Sequence, residues 1–127
     1  MSTIKEQLGD YLASEGLRAQ EKDYGFSFRY EMKNFIIHWD EDDEFFLAVI
    51  MPCIFEVDEN NRNDVLEIAN KISNTRKVVK CTLHDEEVWL QAEFLIDSDP
   101  GFGDIIPRSL NMLIQAQQLF YQELMEG

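Results

Sequence analysis

Histidine, cysteine and basic residues are scarce in this chain, and each shortage closes off some chemistry. Among 127 residues there are two histidines, two cysteines and eleven lysines or arginines against twenty-five acids, for a formal net charge of −14. So acidic a surface repels phosphate backbones, because nucleic-acid affinity comes largely from Lys and Arg neutralising phosphates. Anionic membranes are disfavoured for the same reason. Neither nucleic acid nor membrane is therefore an expected partner. Cys53 and Cys81 are too few for a disulfide framework. Both sit in apolar, strand-like stretches and read as small buried hydrophobes. Long apolar runs are also missing. The longest, Phe45 to Met51, has the length of a strand, well short of the roughly 18–20 residues of a membrane helix. Met1-Ser2-Thr3-Ile4-Lys5-Glu6 leads into no apolar h-region of a secretion signal. The expected location is the cytoplasm.

What the chain does have is core-forming material. Hydrophobic residues make up 45% and aromatics 12%. A chain of this length removes roughly 65–70% of its unfolded surface from water on folding. The charge therefore solvates a packed domain and does not signal disorder. Residues 1–127 are expected to form a single domain.

Thr3-x-x-Glu6 is a capping box that opens a helix. Ile4, Leu8, Tyr11 and Leu12 share one face of it, and Gly16 is a plausible stop. An extended segment, Leu17 to Lys22, leads to a turn at Asp23-Tyr24-Gly25. Phe26 to Met32 then alternates, with Phe28, Tyr30 and Met32 on one side. A tight hairpin is expected at Lys33-Asn34, after which Phe35, Ile37 and Trp39 continue the same face. The acidic tip Asp40 to Glu44 precedes Phe45 to Met51, which is apolar on both sides, as a central strand is. Pro52 should end or bulge that strand, and the chain runs on through Ile54 to Val57. A second helix is expected from about Asn61 to Asn74, with Val65, Ile68, Ala69 and Ile72 inward. Val78 to Leu83 and Val88 to Ile96 form a hairpin around His84-Asp85-Glu86-Glu87. A last helix begins near Asp104, with Pro107 in its first turn. The order α-βββ-α-ββ-α indicates an α+β fold, a single antiparallel sheet packed with helices.

The catalytic inventory is thin. His38 falls mid-strand, His84 at a hairpin tip, and nothing brings them together. Cys81 precedes His84 by three residues, but a zinc site wants about four ligands at paired spacings. Asp40 to Glu44 lacks the glycine and the flanking helices of a calcium-binding loop, since Phe45 takes the sixth position. Asp97-x-Asp99 borders Pro100-Gly101-Phe102-Gly103, which has no phosphate-binding lysine and is no P-loop. No G-x-S-x-G elbow occurs. No enzymatic activity and no cofactor are expected.

Binding is better supported. The central strand offers one stripe of Phe45, Leu47, Val49 and Met51, and another of Phe46, Ala48 and Ile50. Loop lengths do not decide which stripe meets the helices. Trp89 and Leu95 fall on the more polar parity of their strand, with Gln91 and Glu93, and extend the patch. An apolar stripe facing away from the helices needs a cover: a helix of the same chain or another chain. The last helix adds Met112, Ala116 and Leu119, which make it apolar around much of its circumference.

Several stretches carry a resemblance. They are Met51-Pro52 at the end of the long strand and Ala69-Asn70-Lys71-Ile72-Ser73-Asn74 closing the second helix. Lys77-Val78-Val79-Lys80 and Val88-Trp89-Leu90-Gln91-Ala92-Glu93-Phe94 complete them. With the element order, they resemble the YbjN-like family, the bacterial sensory transduction regulators. That family looks like the class I chaperones of type III secretion in fold. The resemblance implies a noncatalytic domain, often dimeric, that holds extended client segments. It supplies no active-site residues.

The expected function is thus a noncatalytic protein-binding or regulatory domain, chaperone-like and homodimeric, buried against its partner through an apolar sheet or helix surface. Phe46, Ile50, Trp89, Met112 and Leu119 are the expected contact residues. Two other classes stay open: a small-ligand or metal-binding enzyme-like domain using Cys81, His84, Asp97 or Asp99, and an acidic immunity-type protein.

Overall fold

The computed structural model describes residues 3–126; Met1 and Ser2, the start of the amino-terminal reading above, lie outside them. Helix α1 (Ile4–Ser14) begins as its capping box requires, with the Glu6 N–H donating to Thr3 Oγ1 at 3.1 Å. Its spacing of Ile4, Leu8 and Leu12 puts all three in the core. Four strands follow: β1 (Gln20–Lys22), β2 (Gly25–Tyr30), β3 (Lys33–Asp40) and β4 (Asp43–Glu56). Then come α2 (Arg62–Thr75), β5 (Val79–His84), β6 (Glu87–Leu95) and α3 (Phe102–Glu126). The strands form one sheet in the order β1-β2-β3-β4-β6-β5, with every pair antiparallel. The extended segment before the first turn supplies the short edge strand β1, so the sheet has six strands and not five.

Three local expectations are corrected. The β2–β3 hairpin turns at Glu31-Met32, two residues earlier than expected, with Tyr30 opposite Lys33. Both turn residues have positive φ, 50° and 66°, the backbone that a two-residue hairpin of matching twist demands. Met32 therefore leaves the inward face and is 87% exposed. Helix α3 starts at Phe102, which moves Pro107 into the second turn. There its missing N–H cannot bond the carbonyl of Gly103, a residue exposed to solvent. Cys53 is exposed while Cys81 is buried. The reason lies in β4, whose register against β6 shifts between Met51 and Phe55. The bulge after Pro52 holds Cys53 at φ 53° and turns its side chain out, as a bulge re-aims residues.

All three helices pack on one face of the sheet. That face presents Phe26 and Phe28 of β2, Phe35 and Ile37 of β3, Leu47, Val49 and Met51 of β4, and Leu90 of β6, all in the core with Leu8, Leu12, Ile72 and Phe120. Helix α3 lies between the other two helices and touches α1, α2, β4, β5 and β6. Tyr121 near its end donates its hydroxyl proton to the Ile54 carbonyl at 2.5 Å, anchoring the helix to the strand beyond the bulge. At the β5 edge, Ser73 of α2 accepts from the Cys81 N–H at 3.0 Å, so part of that open edge is capped from within the chain.

Candidate functional site

Among the described residues no helix lies on the opposite face of the sheet. Because side chains alternate along a strand, the residues interleaved with the core all emerge there. The register brings them together in rows. Ile50 lies between Ile36 of β3 and Gln91 of β6, and Ala48 between His38 and Glu93. Phe46 pairs with Leu95, and Trp89 with Thr82 of β5. The structure thus decides between the two stripes of β4: Leu47, Val49 and Met51 meet the helices, and Phe46, Ala48 and Ile50 do not.

Three of the five expected contact residues, Phe46, Ile50 and Trp89, share this open face, but they are not equally available. Ile50 is only 9% exposed, and Ala48 3%, because the flanking strands' side chains close over them. Phe46 and Trp89 are half-buried. The surface on offer is richest at one end of the face, where Leu95, beside Phe46, is 86% exposed. The parity of β6 had pointed to Leu95, and its exposure makes it the largest apolar handle here.

At the other end Trp89 stacks on His84, ring centroids 4.3 Å apart and 27° between planes. Its indole nitrogen and the Thr82 hydroxyl are buried without a hydrogen-bond partner of good geometry. The Cys53 thiol is close by. A hydrogen bond to the Glu87 carboxylate, then partial burial, raise its pKa, and the Trp89 N–H works against them. The rim here is acidic: Glu56, Asp58, Glu86 and Glu87 line one cleft with Val57 and no basic residue.

The other two expected residues, Met112 and Leu119, lie elsewhere. Both are half-buried on α3 and pack against the core. The broad apolar circumference of that helix is largely taken up by its own chain, and Ala116 is fully buried.

The residues of the alternative reading are separated. Cys81 points into the core, and burial pushes its pKa up to about 12. His84, three positions on, falls on the opposite face. Asp97 accepts from the Asp99 N–H at 2.8 Å, which fixes a turn. In the acidic tip, Asp40 likewise accepts from the Asp42 N–H at 2.8 Å and Asp43 from the Phe45 N–H at 3.1 Å. Among the described residues no group of three or more His, Cys, Asp or Glu side chains is placed to hold a metal ion.

The architecture, with one antiparallel sheet helix-covered on a single face, matches known structures. YbjN from E. coli, provisionally assigned as a transcription regulator, superposes with a TM-score of 0.70 at 10% identity, over 94% of this chain and 90% of that one. The fold is YbjN-like. The Yersinia pestis type III secretion chaperone SycH, solved in complex with a stable fragment of YscM2, follows with a TM-score of 0.58 at 16% identity, over 92% of this chain and 99% of that one. No sequence-family profile matches the chain, and no curated protein matches it by sequence. At these identities the likeness is one of fold, and the YbjN-like, chaperone-like architecture anticipated from the residues is the one found.

Proposed function

We propose that residues 1–127 act as one noncatalytic protein-binding or regulatory domain, chaperone-like, working in the cytoplasm. The partner, a client protein or a second copy of the chain in a homodimer, would dock on the helix-free face of the sheet. One observation carries this reading: that face keeps an apolar centre although no helix among the described residues covers it. A sheet with one solvated face normally alternates apolar-in, polar-out. Here Ile36, Phe46, Ala48, Ile50, Trp89 and Leu95 break that alternation. Two neighbours in fold support it, one provisionally a regulator and the other a chaperone solved with a protein fragment bound. The acidic rim would steer basic partners and set the rate of encounter more than the final affinity.

Leu95→Glu tests the reading with little risk to folding, because the side chain is 86% exposed. Sedimentation velocity and affinity capture with mass spectrometry should show the wild-type chain as a dimer or with a partner, and the variant with neither. Trp89→Ala, checked for folding by circular dichroism, should lose the same species. A wild-type chain that sediments as a monomer and captures nothing, or a Leu95→Glu variant that keeps every partner, would sink it.

A further inference from the structure

A second surface lies on the helical side, around Met112. Two adjoining grooves share that residue. One, of about 180 Å³, is lined by Val78, Phe94, Ile105 and Met112 with Asp104, Arg108 and Ser109. The other, of about 250 Å³, is lined by Thr75, Arg76, Lys77, Val79, Met112 and Gln115. Together they form a trough between the start of β5 and the middle of α3.

Two features set this trough apart. The first is its charge. Arg76, Lys77 and Arg108 stand along it with one acid, Asp104, in a molecule whose acids outnumber its bases by twenty-five to eleven. The ion pairs formed among the described residues are Lys5–Glu21, Lys71–Glu123 and Lys80–Glu93, so none of the trough's three cations is engaged. Even Asp104, one turn before Arg108 on the same helix, does not pair with it. The second is Val78. It is 49% exposed and held at φ 68°, a backbone region costly for a β-branched residue. That conformation turns an apolar side chain to the groove wall while Val79 goes to the core. The first groove is large enough for one bulky apolar side chain, since a cavity of about 150 Å³ accepts a benzene ring.

We propose that this trough binds an acidic amphipathic segment of a partner protein. One leucine- or phenylalanine-sized side chain enters the groove between Val78, Phe94, Ile105 and Met112, and flanking Asp or Glu side chains engage Arg76, Lys77 and Arg108. Charge complementarity chooses the occupant: a basic segment would face three unpaired cations, whereas an acidic one relieves them. The inference extends the protein-binding role to a separate surface with opposite charge preference, and it does not depend on the sheet face being a docking site.

The test uses two fluorescent synthetic peptides of one amphipathic design, identical in their leucine positions, one carrying Glu on its polar face and the other Lys. Binding to the full chain is read by anisotropy. In the Leu95→Glu background, where the sheet-face site with its acidic rim is disabled, the Glu peptide should bind and the Lys peptide should not, with affinity falling as salt rises through the range that screens exposed charges. The paired reversal Arg76→Glu with Lys77→Glu should weaken the Glu peptide by about tenfold. Met112→Glu should abolish binding, and the milder Arg108→Gln gives a reading should a reversal fail to fold. Leu95→Glu should bind the Glu peptide normally, which keeps this result separate from the fate of the sheet-face reading. Equal binding of both peptides in the Leu95→Glu background, or of the Glu peptide to wild type and charge variants, would overturn the proposal. So would a self-association that Arg108→Gln abolishes, since the trough would then be filled by a second copy.

Discussion

Burial pushes the Cys81 thiol up from an ordinary 9.0 to about 12, whereas Cys53, on the surface, is raised mainly by its hydrogen bond to Glu87. Both shifts disfavour the reactive thiolate, but they respond to different changes. Replacing Glu87 with Gln should speed alkylation of Cys53 by iodoacetamide at neutral pH and leave Cys81 inert until the chain unfolds; rates followed by mass spectrometry check this. Because its folded pKa lies above its unfolded one, Cys81 contributes stability that is complete below about pH 9 and is lost as pH rises toward about 12. Unfolding midpoints of wild type and Cys81→Ala should therefore converge over that window. The apolar setting of both cysteines was plain in the sequence. The difference between them was not, since the exposure of Cys53 depends on a bulge whose position appears only when β4 meets β6.

Turns and strands were legible wherever local chemistry decides them. Thr3 caps α1 by accepting from the Glu6 N–H, as their spacing requires, and Pro52 sits at the break in the long strand. The β2–β3 turn was misplaced because Glu31 and Met32 look like a continuing strand. The pairing of Tyr30 with Lys33 overrides that alternation. Gly25 shows how tightly neighbouring strands constrain a turn. It sits at φ 151°, and a Cβ placed there would meet the Ile37 carbonyl oxygen at 2.2 Å. The main chain cannot give way as a flexible side chain would. Gly25→Ala should cost about 3 kcal/mol, to be read from urea unfolding midpoints, while Gly16→Ala, with open space around it, should cost less.

At the scale of the whole molecule, charge and coverage matter most. A net charge of −14 makes the folded state repel itself, most strongly where Glu56, Asp58, Glu86 and Glu87 share a cleft. Raising salt from about 0.01 M to about 0.15 M, which shortens the screening length from roughly 30 to 8 Å, should raise the melting temperature; a fall would point instead to dominant stabilising ion pairs. The candidate contact residues were only partly separable in the sequence. Phe46, Ile50 and Trp89 do fall on one face of the sheet, because strand parity is a local property. Met112 and Leu119 looked like the same kind of residue but lie on the helical side, where α3 uses most of its apolar circumference against its own chain.

Three helices, five of the six strands, their order and the antiparallel α+β class were legible in the residues, because capping, turn chemistry and the two periodicities act over a few residues; the short edge strand β1 was not, since it exists only by pairing with β2. The folded chain alone reveals which stripe of β4 the helices cover, that Leu95 is the exposed end of the open face, and that Arg76 and Lys77 line one groove and Arg108 another that meet at Met112. Those facts depend on strand register and helix docking, which bring together residues distant in sequence, and no local pattern records where such residues will meet.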